Sequence, residues 1–517
     1  MDARDNEMTD DLSALAWVQD ELRKSLETAH KSLRRFVKES EALSGSDVDA
    51  VDPSVLRQAR QQLHQGVGAL ELVGLAAGAQ LLRASEAAVQ RLASKPKLLN
   101  AAAVESVEHA SFALLDYLSR CLAGKPVSAL ALFPAYRKMQ ELAGADRVHP
   151  ADLWLHDWQW RDLPAEPAVA PLEPDAGTRS YVEAQSLQVM RQSAKAAQRM
   201  SDLFAGLGAG AKDRQLATLW QLAAAFFEGQ AHKMPPPDVY AKRVMSRLLA
   251  QLRICERGGH DVSERLPQDL LFFCAQAGTA ADTGATPRLA AVRRVYGFAG
   301  KVGVDYEEAR LGRFDPAWIA QARKRVAGAK DGWSAVAGGE LHRLVGLAEQ
   351  FALVADSLKR LYPSGDRLAE ALLNAVQFTV TSGEAPSPEL AMEVATAVLY
   401  LDASLEDGQF DHPEEAQRVQ RLAQRIDAVR GGKPSDPLES WMEDLYRRVS
   451  DRQTMGSVVQ ELHASLSEVE KLIDQFFRSP TERTTLIPVP NQLSAMRGVL
   501  SVLGMDQASQ AVVRMRD

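Results

Sequence analysis

Apolar residues recur at three- and four-residue intervals along most of this chain, the repeat of an amphipathic α-helix. Alternating Val/Ile/Thr stretches, which would signal strands, are nearly absent. The repeat predicts one long helix over Leu12–Glu41. A second opens at Pro53, where a first helical turn tolerates proline, and runs towards Gly74. A third is expected over Ala76–Leu92, ended by Lys95-Pro96. A fourth covers Ala101–Leu122 and stops at Gly124, with Pro126 two residues on. Four consecutive helices with short connections predict an antiparallel bundle.

Downstream, Trp154, Trp158 and Trp160 lie close together in LWLHDWQW. They read as an anchor packed against the first bundle, with a partner-binding site as the alternative. The Pro-rich stretch from Pro164 to Gly177 lacks periodicity and reads as a linker. A larger helical segment follows, from about Ser180 to Val429, interrupted at Pro235–Pro237 and Ala277–Pro287. GGKPSDP at Gly431–Pro437 reads as a second linker. Leu438–Phe477 is again one long amphipathic helix, and a last helical stretch leads to Asp517. The expected fold is therefore all-α. Its segments are a bundle over 1–163, a linker over 164–177, a helical middle domain over 178–430, a linker over 431–437 and a helical module over 438–517.

Composition narrows the function. A chain of 517 residues is too long for one ordinary domain. Its 60 Lys and Arg against 68 Asp and Glu leave a net charge of −8, which disfavours nucleic acid as a partner. Three scattered cysteines (Cys121, Cys255, Cys274) offer neither a disulfide framework nor a thiolate metal cage. The first eleven residues carry four Asp and one Glu and no apolar core of a signal peptide. No run of about 18 apolar residues occurs, so no membrane insertion is expected. The expected location is the cytoplasm.

The sharpest chemical feature is LHQGVGALELVG in the second helix. Helical period puts Leu56, Leu63, Val67 and Leu70 on the buried face, and Arg57, Arg60, His64, Gly68 and Glu71 on a polar one. Glycine in a helix interior costs about 1 kcal/mol relative to alanine, so Gly66 and Gly68 imply a close approach. An exposed imidazole with a bare patch one turn on suits a nucleophile that another protein's active site must reach. A solvent-facing histidine without chemistry is the plain alternative. The layout resembles the histidine phosphotransfer (HPt) module: His64, Gly68 and Gly74 match its phosphoacceptor, +4 and +10 positions. Val67 stands at the position where that module carries a basic residue, and Arg60, one turn before His64, is the candidate substitute cation.

SAMRGVLSVLG at Ser494–Gly504 overlays this motif. Arg497 fills the basic position, Gly498 matches Gly68 and Gly504 matches Gly74, but Ser494 replaces the histidine. It reads as a degenerate second copy, expected to be truncated because the chain ends soon after. His342, with Gly346 one turn on, and His463 are weaker echoes, read as ordinary helix histidines. No HExxH, CxxC, Walker A, GxGxxG or GxSxG motif occurs, and DTGATP at Asp282–Pro287 lacks the context of an ATP lid. No metal site or cofactor is expected in the chain.

Several stretches together resemble one family: WVQDEL at Trp17–Leu22, LHQGVGALELVGL at Leu63–Leu75, MEVATAVLYLDASL at Met392–Leu405, WMEDLYRRVSDRQTMGSVVQEL at Trp441–Leu462 and QLSAMRGVLSVLGMDQASQAVVRM at Gln492–Met515. They are similar to the N-terminal region of the CheA-type hybrid histidine kinases of the type IV pilus chemosensory system (PilL/ChpA), to which the FimL scaffolds are related. The resemblance implies a cytoplasmic signalling region for twitching motility, with CheY-like receivers and other pilus chemosensory or scaffold proteins as partners. Phosphate would pass between His64 and a receiver that brings its own Mg2+; the alternative it implies is a non-catalytic FimL-like scaffold.

Overall fold

The computed structural model describes residues 12–42, 54–125, 127–166, 168–234, 238–362, 364–407, 414–481, 483–502 and 505–516. Among them are nineteen α-helices and no strand. The chain divides into two compact units, one ending at Pro316 and one beginning at Ala317.

The first unit opens with α1 (Leu12–Ala42), α2 (Ser54–Leu72), α3 (Ala76–Ser94) and α4 (Ala101–Leu122). Pro53, expected to open α2, lies outside the described residues. Gly74 and Gly124 end their helices at φ of 73° and 63°, a left-handed backbone that glycine adopts without steric penalty. Contacts along α1 and α4 run in opposite directions: Gln19 Nε2 donates to Ser119 Oγ at 2.6 Å, His30 meets Ser111 at 2.9 Å, and Arg34 Nη2 donates to Glu108 at 2.6 Å. The α2–α3 hairpin is antiparallel too, with Gly66 against Leu82 and Leu70 against Gly78. Each helix turns its apolar stripe inward, through residues such as Leu22, Leu33, Leu63, Leu70, Leu82 and Leu114. The result is a four-helix bundle, with α5 (Phe133–Ala143) packed on α3 and α4.

The same core continues into α6 (Ala176–Met190), α7 (Ala194–Gly210), α8 (Arg214–Ala231), α9 (Val239–Glu256), α10 (Arg265–Gln276) and α11 (Pro287–Val295). Aromatic rings carry it across. Phe204 stacks on Trp220 and Phe227, Phe226 meets Phe273, and Phe133 of α5 meets Tyr240 of α9 edge-on at 5.4 Å. The tryptophans expected to anchor the first bundle pack in the other direction. Trp154 lies against Phe272 and Phe298, and Trp158 stacks on Tyr296 at 5.9 Å. The rings they need belong to α10 and to the loop after α11, which sequence spacing does not reveal.

Both segments expected as linkers are fastened. In 164–177, the Leu172 amide donates to the Gly206 carbonyl at 2.9 Å, and a Cβ on Gly210 would stand 2.1 Å from the Leu172 oxygen. Two glycines of α7 thus let this stretch of chain lie flat against the helix. At the unit's end Gly312 returns to α4, where a Cβ would stand 2.3 Å from the Ala113 nitrogen. The break in packing comes after this return, inside the stretch expected as the middle domain.

The second unit contains α12 (Pro316–Ala337), α13 (Leu347–Leu361), α14 (Gly365–Ser382), α15 (Pro388–Asp407) and α16 (Glu415–Arg430). Trp333 packs on Phe351 and donates its indole N–H to the Ala391 carbonyl at 3.0 Å. Arg425 and Glu393, each 2% exposed, form a two-pronged ion pair at 2.8 Å. Arg425 also donates to the carbonyls of Asp436 and Pro437, which clamps the 431–437 segment. Then come α17 (Ser440–Arg478), α18 (Val489–Val502) and α19 (Asp506–Arg516). These share a small core of Val469, Val489, Leu493, Met496, Leu500 and Val512.

Candidate functional site

The α2 helix divides as its periodicity requires: Leu56, Leu63, Val67 and Leu70 are buried. Its two interior glycines have different causes. A Cβ on Gly66 would stand 2.7 Å from Leu22 Cδ1 and 2.8 Å from Leu82 Cδ1, so this glycine lets α1 and α3 close on α2. Around Gly68 nothing lies within 4 Å of an added Cβ. Packing does not explain Gly68; the patch is open. Val67, at the position expected to be basic in the HPt resemblance, points into the core, where an unpaired cation would be costly.

His64 stands on the outer face with its side chain 73% exposed. Its Nδ1 lies 3.1 Å from Oε2 of Glu86, a largely sheltered carboxylate on α3. Arg60 Nε donates to the other oxygen of Glu86 at 3.1 Å. Arg60, the candidate substitute cation, is therefore held beside His64 by the same carboxylate. Glu71 and Arg83 pair beside this cluster, and Leu72 is 89% exposed two turns along from His64. In the tautomer that carries the proton on Nδ1, the ring donates to Glu86 and Nε2 keeps its lone pair. A carboxylate in that place fixes ring orientation and favours positive charge on the imidazole when Nε2 gains a substituent.

Glu86 escaped the sequence reading, although a signal existed. The hairpin turns at Gly74-Leu75, so residues equally distant from that turn face each other, and Glu86 is the carboxylate across from His64. In α18, Ser494 donates its hydroxyl back to the Pro490 carbonyl at 2.8 Å. Arg497 is exposed and Gly498 is open, while Gly504 lies outside the described residues. His342 sits in a 3-10 turn and Gly346 starts α13 at φ 91°, so the two do not share a helix face. Asp282 of DTGATP binds the fully buried Arg293 at 2.7 Å; that loop is a structural clasp. Among the described residues no cluster of His, Cys, Asp and Glu could hold a metal ion, and no helix is long and apolar enough to cross a membrane.

Residues 167–309 match the family described as FimL scaffold protein second domain. That match ends seven residues before the first unit closes at Pro316. Along its length the chain is 23% identical to the scaffold protein FimL of Pseudomonas aeruginosa, over 97% of this chain and 87% of the relative. The chain is similar to a FimL scaffold. The matched segment holds α6 to α11 and most of the aromatic core, so the similarity falls on the part that knits the first unit together. No solved structure matches the chain.

Proposed function

We propose that this protein is a cytoplasmic docking scaffold in type IV pilus signalling. The observation that carries the reading is its similarity to the FimL scaffold over nearly the whole chain. The residue chemistry agrees. Sheltered ionised groups of the first unit, such as Arg293 with Asp282 and Glu108 with Arg34, are engaged in pairs within the fold. Exposed apolar side chains such as Trp17, Leu72 and Leu155 offer contact points of the kind protein partners use. CheY-like receivers and other pilus chemosensory proteins are the partners the reading names. Size-exclusion chromatography of the purified chain with each such protein tests it. A stable complex that survives His64→Ala is expected, and absence of any complex defeats the reading.

A second reading rests on the His64–Glu86 pair. The first four helices act as an HPt-like bundle, in which Nε2 attacks the phosphorus of a receiver's aspartyl phosphate and the receiver's carboxylate leaves. Glu86 holds the remaining Nδ1 proton as the ring becomes positive, and open Gly68 admits the receiver. Ser494 lacks such a nitrogen, and the α18 site transfers nothing by this route. Incubation with a phosphorylated receiver and Mg2+ should label the chain, and His64→Ala should remove the label. Labelling that persists in that variant excludes His64.

A further inference from the structure

Between α5 and the paired helices α9 and α10 lies a cavity of about 690 Å³, away from the His64 face and entirely within the first unit. Its floor is charged. Asp269 is 2% exposed and is reached by Arg247 and, at 2.9 Å, by Arg265. Arg265 also donates to Asp152 at 2.5 Å, so two carboxylates and two guanidinium groups form one chain of ion pairs. His149, buried beside them, accepts the Ala151 amide at its Nδ1, and burial together with the arginines lowers it to about 3, which keeps the ring neutral.

Two further arginines stand at the mouth without a carboxylate. Arg243 is exposed; it donates to the Val148 carbonyl at 3.1 Å and lies over the Tyr240 ring. Arg147 is exposed and forms no ion pair among the described residues. Four arginines against Asp146, Asp152 and Asp269 leave the lining one charge positive, in a chain whose net charge is −8. The guanidinium groups nearest solvent are the uncompensated ones. The remaining wall comes from Tyr136, Val148, Val244 and Ser246, with the Tyr136 hydroxyl already hydrogen-bonded to Gln140 and Asp152. Planar guanidinium forks match phosphate oxygens, and a cavity of several hundred Å³ suits a ligand of mononucleotide size.

We propose that this cavity binds a small phosphate ester of about mononucleotide size, with Arg147 and Arg243 engaging the phosphate and the Tyr136 side receiving the organic body. The proposal is independent of the scaffold reading, because it concerns a small ligand and a different face of the chain.

Calorimetric titration of the full chain with AMP, and separately with pyrophosphate, tests it. AMP is expected to bind, with affinity falling as salt rises. The double variant Arg147→Ala/Arg243→Ala should weaken AMP about a hundredfold, about tenfold for each charge-assisted hydrogen bond removed. Arg57→Ala, a control on α2 outside the cavity, should leave binding unchanged. Arg243→Lys keeps the charge but not the fork and should fall between. Arg243→Ala gives up the Val148 hydrogen bond and the contact with Tyr240, so the double variant should unfold slightly below the unaltered chain without ligand. Arg147→Ala alone should unfold with the unaltered chain and still weaken AMP about tenfold. The proposal is overturned by absence of AMP binding at millimolar concentration, by binding that survives the double variant, or by binding of pyrophosphate alone.

Discussion

The helices α2 and α18 carry the same glycine spacing, yet their surroundings make them different objects. On α2, His64 faces α3, which supplies Glu86 at 3.1 Å from Nδ1 and ties Arg60 to the same carboxylate. On α18, the Ser494 hydroxyl has turned back to its own helix, and Arg497 faces outwards. The α2 helix belongs to a core running from Leu15 to Leu311, whereas α18 shares six buried residues with α17 and α19. A motif read along one helix gives spacing; its chemistry depends on the neighbouring helix, and its rigidity on how much lies beneath.

The largest way to break this comparison is in the cores. Leu63→Ala removes a fully buried side chain and should cost about 2–5 kcal/mol, seen as a lowered calorimetric transition. Val499→Ala, on the exposed side of α18, should cost less than about 0.5 kcal/mol. Equal costs would show that the Leu63 face of α2 is no better packed than the exposed side of α18.

Acid separates the regions next. Burial lowers His30 from 6.5 to about 4, against the opposing pull of Glu108 and Asp315, while Arg34 adds to the lowering. The unfolded chain therefore binds more protons in that window. Stability from a neutral His30 is complete above about pH 6.5, declines as the pH falls, and is lost below about pH 4. By linkage this is on the order of 3 kcal/mol. Protection factors in α1 and α4, taken relative to the intrinsic exchange rate at each pH, should fall between pH 7 and 4, and His30→Gln should flatten that dependence. The small core shared by α17–α19 holds no histidine among the described residues, so these helices should respond less over the same range.

The glycines give a smaller contrast with opposite signs. Gly66→Val forces a branched side chain against Leu22 and Leu82 and should destabilise by about 1–3 kcal/mol. Gly498→Ala meets nothing and should stabilise by up to about 1 kcal/mol. Thermal melts of the two variants decide it; a stable Gly66→Val protein would contradict the close packing of α1, α2 and α3. The last contrast concerns chemistry. If His64 accepts phosphate, Glu86→Gln should slow labelling about tenfold, the equivalent of one weakened charge-assisted hydrogen bond, and an unchanged rate would remove Glu86 from the site.

Much of the first bundle was legible because its signals are local. Helix bounds at Leu12, Ala76 and Ala101–Leu122 follow from periodicity, and Gly74 and Gly124 mark stops that only a residue free to adopt positive φ provides so readily. The exposed placement of His64 and the open flank at Gly68 also follow from the helical period. The direction of the tryptophans did not, because their partners Phe272, Tyr296 and Phe298 lie more than a hundred residues along the chain. Nor did the fixing of the two supposed linkers. Proline and glycine in 164–177 and 431–437 signal irregular backbone, and irregular backbone can be fastened through its carbonyls and amides, as Leu172 and Arg425 show.

By itself, then, the sequence determined where helices begin and end, which face of each is apolar, and which residues stand on the polar face. Those are consequences of backbone sterics and a 3.6-residue repeat, and they need no partner. Only the tertiary structure decided that Gly66 is there for packing and Gly68 is not, that Glu86 belongs to His64, that Arg60 is already engaged, and that arginines of α9 and α10 converge with residues after α5 around one cavity. Each of these depends on distances between side chains from separate helices, and those distances are set by how the whole core closes.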